Sequence, residues 1–93
     1  MGSKYSLEIR KSADKQLRKQ TPDILRQINK KINEIIENPQ RYKNLRSPLN
    51  HWKRVHIGKS FVLCYSVNEL NKAVIIEAFD HHDKIYLTKR KRL

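Results

Sequence analysis

Sulfur is nearly absent from this chain. One cysteine, Cys64, excludes an intramolecular disulfide, and its place inside an apolar run marks it as a small hydrophobe. Long apolar runs are missing too: none approaches the ~18 residues of a membrane span, and the start shows no apolar secretory region. A reducing cytoplasm is the expected location, with no membrane partner. Acid is also scarce, since 9 Asp and Glu stand against 21 Lys and Arg, for a formal charge of +12 and a pI near 10.2. That exceeds what solubility asks and points to a polyanion. Charge alone does not choose among nucleic acid, acidic protein and anionic membrane. An Arg, a His and a Trp sharing one strand face, however, favour nucleic acid over a merely solvated lysine surface.

The 93 residues suffice for one domain with one small core, and nothing marks a second. Residues 1–93 are therefore read as a single domain, with 1–3 set aside as a flexible start or cloning remnant and 87–93 as a basic tail. Tyr5-Ser6-Leu7-Glu8-Ile9-Arg10 alternates like a half-buried strand with Tyr5, Leu7 and Ile9 inward. Ser12 is the expected N-cap of a short helix reaching about Lys19, with Ala13 and Leu17 on one face. Thr21-Pro22-Asp23 supplies a cap, a first-position proline and an acid in the first turn. From there Ile24, Leu25, Ile28, Ile32, Ile35 and Ile36 form one apolar helical stripe that Asn38-Pro39 ends.

Residues 40–50 read as a basic loop turning at Ser47-Pro48, with Leu45 and Leu49 as anchors. In Trp52-Lys53-Arg54-Val55-His56-Ile57 the period of two puts Val55 and Ile57 on one face and Trp52, Arg54 and His56 on the other. Gly58-Lys59-Ser60 turns into Phe61–Val67, and a second turn around residues 68–72 leads into Ala73–Phe79, both runs apolar on both faces, as expected of central strands or of a face covered by a partner. The expected fold is α+β: an N-terminal strand, a two-helix hairpin and a three-stranded antiparallel meander, with the helices on one sheet face.

The segment Leu45-Arg46-Ser47-Pro48-Leu49-Asn50-His51-Trp52-Lys53-Arg54-Val55-His56-Ile57-Gly58, followed by Phe61-Val62-Leu63-Cys64-Tyr65, resembles the RelE/ParE superfamily of bacterial and archaeal toxins. Asp80-His81-His82-Asp83-Lys84-Ile85-Tyr86 resembles the closing motif of the same family, a His or Arg shortly before an apolar-aromatic pair. The resemblance runs from about Tyr5 to Tyr86 and is closest to the RelE branch. It implies a RelE-like toxin neutralised by a small acidic, RelB-like antitoxin. In the RelE branch the implied activity is metal-independent, cofactor-free cleavage of mRNA in the ribosomal A site. In the ParE branch it is inhibition of DNA gyrase. A non-catalytic nucleic-acid-binding member is a third reading.

RNA cleavage through the 2′-OH needs a base, an acid for the departing 5′ oxygen and a cation for the charge on phosphorus. Histidine titrates near working pH, and the fork of arginine pairs two phosphate oxygens. Carried over from the resemblance, Arg54 is the expected phosphate clamp, His56 and His82 the acid-base pair in undecided order, and Tyr86 a stacking or orienting group. Lys53, Arg46, Lys59, His81, Lys89 and Arg90 are expected to contact RNA, with Lys53 and His81 as substitutes for their neighbours. Val62 stands where many RelE-like members carry an arginine after the aromatic, and Lys59, Arg46 or the tail would have to supply that charge. Trp52 reads as a core or partner anchor more readily than a base platform, His51 as a loop residue, and Glu77 as either a base or a paired carboxylate. A metal site from Asp80, His81, His82 and Asp83 is set aside, because adjacent histidines diverge and the spacing matches no usual ligand set.

Overall fold

A computed structural model describes residues 5–42 and 51–81. Its elements run β1 (Ser6–Ile9), α1 (Lys11–Arg18), α2 (Pro22–Glu37), β2 (Lys53–Ile57), β3 (Phe61–Asn68) and β4 (Ala73–His81), with strand order β1-β4-β3-β2. β2, β3 and β4 form the expected antiparallel meander, and β1 adds to its β4 side in parallel, Ser6 opposite Ala73 and Ile9 opposite Ile76. The class is α+β.

α2 forms where the local signals place it. The Ile24 amide donates to Thr21 Oγ1 at 3.3 Å, Pro22 takes the first turn, and the chain leaves the helix at Asn38 before Pro39. Ile28, Ile32 and Ile35 are buried, and with Ala13 and Leu17 of α1 they meet Val55, Ile57, Leu63, Tyr65, Val74, Ile76 and Phe79. All the sheet members of that cluster lie on one face, so both helices cover the same side. Tyr65 is completely buried there, and its hydroxyl donates to the Pro39 carbonyl at 2.8 Å.

Two local expectations are corrected. Ser12 does not cap α1: the helix begins at Lys11, and Arg10 stands at the cap position without a side-chain bond. The reason is tertiary, since the Arg10 amide is held by the Ile76 carbonyl at 3.0 Å and its guanidinium by Glu77 at 3.2 Å, so β4 decides where the strand ends and the helix starts. Leu7 and Ile9 do pair with the inward residues Val74 and Ile76, yet they remain 39% and 40% exposed. β1 is an edge strand, and its inward face extends beyond the cover of the helices.

Candidate RNA-binding and catalytic face

β2 divides its side chains between two environments. Val55 and Ile57 are buried under α2, while Arg54 and His56 are exposed on the side away from the helices. The β2-β3 turn fixes that division. Gly58 has φ +60, a left-handed conformation that costs a residue with a Cβ, and it lies against Ile24 and Gln27 at the start of α2. The hairpin tip is thus docked on the helix whose apolar stripe draws in Val55 and Ile57.

On the outer face Arg54 lies opposite Cys64 and His56 opposite Val62. Val62 and Cys64 are nevertheless fully buried, in a second small cluster with half-buried Trp52 and Ala78. The guanidinium and the imidazole therefore project from a dry apolar floor. Burial pushes the Cys64 thiol up to about 12; the Arg54 charge works against that rise and the Glu77 carboxylate adds to it. A thiol so disposed stays protonated and serves as packing. Trp52 anchors the floor, with the His51 ring edge-on at 5.7 Å.

The neighbouring strands complete the face. Across it, His56, Val62 and Asp80 make one row and Arg54, Cys64 and Ala78 the next. The pairing then shifts between Cys64 and Tyr65, leaving Glu77 as the extra residue of a bulge in β4. Its carboxylate accepts from Ser66 Oγ at 2.6 Å and Arg10 Nε at 3.2 Å, and only 13% of its side chain is exposed. Of the two roles open to Glu77, the structure shows the paired carboxylate.

Lys53 and His81 lie on the other side of the sheet. Lys53 pairs with Tyr65, and its ammonium donates to the Tyr42 carbonyl at 3.2 Å. His81 pairs with Phe61, whose ring lies 4.5 Å from the imidazole and stacks on the core residue Phe79 at 5.1 Å. Neither shares the surface that carries Arg54 and His56. Lys59 is exposed in the β2-β3 turn. Arg46, His82, Tyr86, Lys89 and Arg90 lie outside the described residues.

The sequence reading did not single out Asp80 as a companion of His56, although period-two counting along β4 from Phe79 would have put it on the outer face. The Arg10-Glu77 pair had no local signal, because the two residues meet only through parallel pairing of β1 with β4. Among the described residues no three His, Cys, Asp or Glu side chains gather as a metal-ligand set. Among them, too, no helix is long and apolar enough to cross a membrane.

Comparison with known proteins agrees with this architecture. Residues 7–86 match the family model of the ParE toxin of the type II toxin-antitoxin system parDE. The candidate toxin RelE4 of Methanocaldococcus jannaschii is 54% identical over 92 residues, covering 96% of each chain. Among solved structures, a double mutant of the E. coli toxin RelE in the free state superposes with a TM-score of 0.77 at 22% identity, covering 98% of this chain and 99% of that one. The toxin-antitoxin complex RelBE2 of Mycobacterium tuberculosis gives 0.76 at 24% identity, covering 88% of this chain and 95% of the matched one.

Proposed function

The chain belongs to the RelE/ParE superfamily as a toxin of a type II toxin-antitoxin system, and from that premise we propose that it is an endoribonuclease cutting mRNA in the ribosomal A site. The observation that carries this reading is the pairing of Arg54 with His56: two exposed side chains of opposite chemical talent, two residues apart on one strand, over a floor of buried Val62 and Cys64. A rigid apolar floor orients both and lowers the local dielectric, which strengthens a guanidinium-phosphate pair.

In this mechanism Arg54 holds two non-bridging oxygens of the scissile phosphate. One imidazole, from His56 or His82, takes the proton of the 2′-OH as O2′ bonds to phosphorus. The P-O5′ bond breaks, and the other imidazole protonates O5′. The products are a 2′,3′-cyclic phosphate and a 5′-hydroxyl end, and the reaction asks for no metal or cofactor. Tyr86 stacks on or orients a neighbouring base, for an unperturbed phenol near pKa 10 is a poor base at neutral pH. Lys59, Arg46, Lys89 and Arg90 supply further phosphate contacts, including the charge that Val62 does not. A small acidic antitoxin of RelB type covers the basic face and silences it.

The runner-up is gyrase inhibition, favoured by the description of the matching family model as a ParE toxin. Mapping transcript ends after induced expression separates the two. New ends that vanish with Arg54→Ala and His56→Ala support the nuclease, whereas growth arrest that persists in both variants with supercoiling blocked supports the inhibitor.

A further inference from the structure

The two acids of β4 are held in contrasting ways. Glu77 is engaged inside the sheet by Ser66 Oγ at 2.6 Å and Arg10 Nε at 3.2 Å. Asp80 keeps 25% of its side chain exposed, and among the described residues it meets only His81, whose amide donates to Oδ1 at 2.8 Å and whose Nδ1 lies 3.6 Å away. The amide bond fixes the plane of the carboxylate, and no Lys or Arg of the described residues pairs with it. Asp80 shares the outer face with the Arg54-His56 pair, because it pairs with Val62 and Val62 pairs with His56. Adjacent strands lie about 4.8 Å apart, so Asp80 stands about 10 Å from His56 across the sheet. Val62, the residue between them, is fully buried and apolar. Whatever joins the two polar ends of that row must come from outside.

We propose that Asp80 is a specificity-determining residue, which accepts a hydrogen bond from the exocyclic amino group of a base flanking the phosphate held at Arg54 and His56. An ionised carboxylate only accepts hydrogen bonds, so it repels phosphate and looks for a donor. In single-stranded RNA the donors are the 2′-OH, which is common to all four nucleotides, and the N–H groups of the base edges. Cytosine, adenine and guanine each carry an amino group, and an acidic side chain accepting from cytosine N4 is a regular form of base readout. Uracil sets carbonyl oxygens on either side of its one N–H, and these oppose a carboxylate. A base reaching across β3 from a phosphate at β2 brings its edge to β4, where Asp80 stands. Being charge-assisted, the bond is roughly twice as strong as one between neutral groups. The inference rests on the nuclease reading, to which it adds the means of choosing among nucleotides at the cut.

The test uses messages on stalled ribosomes that differ in one amino group: cytidine against uridine, and guanosine against inosine, substituted in turn at the two positions flanking the cut. The parent chain is expected to cut the amino-bearing member of each pair at least about tenfold faster at one of those positions, within the range of a good base contact. Asp80→Asn keeps an oxygen for the His81 amide and replaces the other with a donor, so it should bring both ratios to parity while leaving the uridine and inosine rates and the circular dichroism melt close to those of the parent. Three results overturn the proposal: no discrimination by the parent at either position, parent-like ratios in Asp80→Asn with tighter binding of every RNA, or parent-like ratios with a lowered Tm. The first would make Asp80 indifferent to the base, the second a mere source of repulsion, the third a structural residue. Binding of the same sequences as uncleavable 2′-O-methyl oligonucleotides, followed by anisotropy, separates this inference from the reading beneath it. Discrimination that depends on Asp80 in binding, with no message cut, defeats the nuclease reading alone. Messages cut without discrimination defeat the role of Asp80 alone.

Discussion

The Tyr65 hydroxyl donates a 2.8 Å hydrogen bond to the Pro39 carbonyl, joining the middle of β3 to the exit of α2 from beneath the sheet. Burial raises the pKa of this phenol above its usual value, so it remains a donor throughout the neutral range. Tyr65→Phe keeps the ring and removes the donor, leaving the carbonyl of buried Pro39 without that bond. The expected cost is about 1–3 kcal/mol, read as a drop of several degrees in Tm, with strand and helix signals unchanged by circular dichroism.

A second prediction concerns alkaline pH. Below the ordinary thiol pKa of 9.0, folded and unfolded chains both keep the Cys64 proton, and the group has no effect on stability. Between there and about 12 the unfolded chain releases the proton while the folded chain retains it, so unfolding is favoured as pH rises. Tyr65 acts in the same direction above its own ordinary value. Denaturant midpoints should therefore fall steadily above pH 9, and Cys64→Val should flatten part of that decline. A disulfide reagent should label Cys64 at the rate of unfolding, since the thiol is wholly buried in the folded chain.

Activity should divide along the pleat of β2. His56→Ala is expected to lower transcript cleavage by about 10²–10⁴-fold, the usual range for an acid-base group, and Arg54→Ala by about 10²–10³-fold, the usual cost of losing one charge-stabilising contact, both without lowering Tm appreciably. Lys53→Ala should spare the cleavage rate, since its ammonium serves the Tyr42 carbonyl on the other side. Primer-extension assays on the three variants together test the division, and a Lys53→Ala defect equal to that of Arg54→Ala would refute it.

At the hairpin tip, Gly58→Ala should destabilise the fold by about 1–2 kcal/mol, the cost of a Cβ in the left-handed region. Room is not the obstacle, because the nearest atoms to an added Cβ are 3.7 Å away. Gly58→Asn should cost less, as asparagine tolerates that conformation. Thermal melts of the two variants distinguish backbone strain from crowding.

Much of this architecture was legible where the determining forces are local. The Thr21 cap, the isoleucine stripe of α2 and the alternation of β2 each follow from neighbours within a turn or two, and each is present. The start of α1 was misread because Ile76 and Glu77, distant in sequence, fasten Arg10 and overrule the capping preference of Ser12. Leu7 and Ile9 looked like core because alternation reports which way a side chain faces and cannot tell an edge strand from a covered one. The bulge at Glu77 likewise depends on cross-strand register, which no run of residues in β4 announces.

The alternation of β2 has a consequence for how such a toxin can change over time. Because odd positions in 53–57 face the interior and even positions the exposed outer side, the even ones are open to replacement by other polar groups with the architecture intact. A single-residue insertion or deletion in this segment would instead exchange the two sets, sending a cation and an imidazole into the interior and Val55 and Ile57 into water. Descendants of this chain should therefore diversify here by point substitution, with the length of the segment held constant.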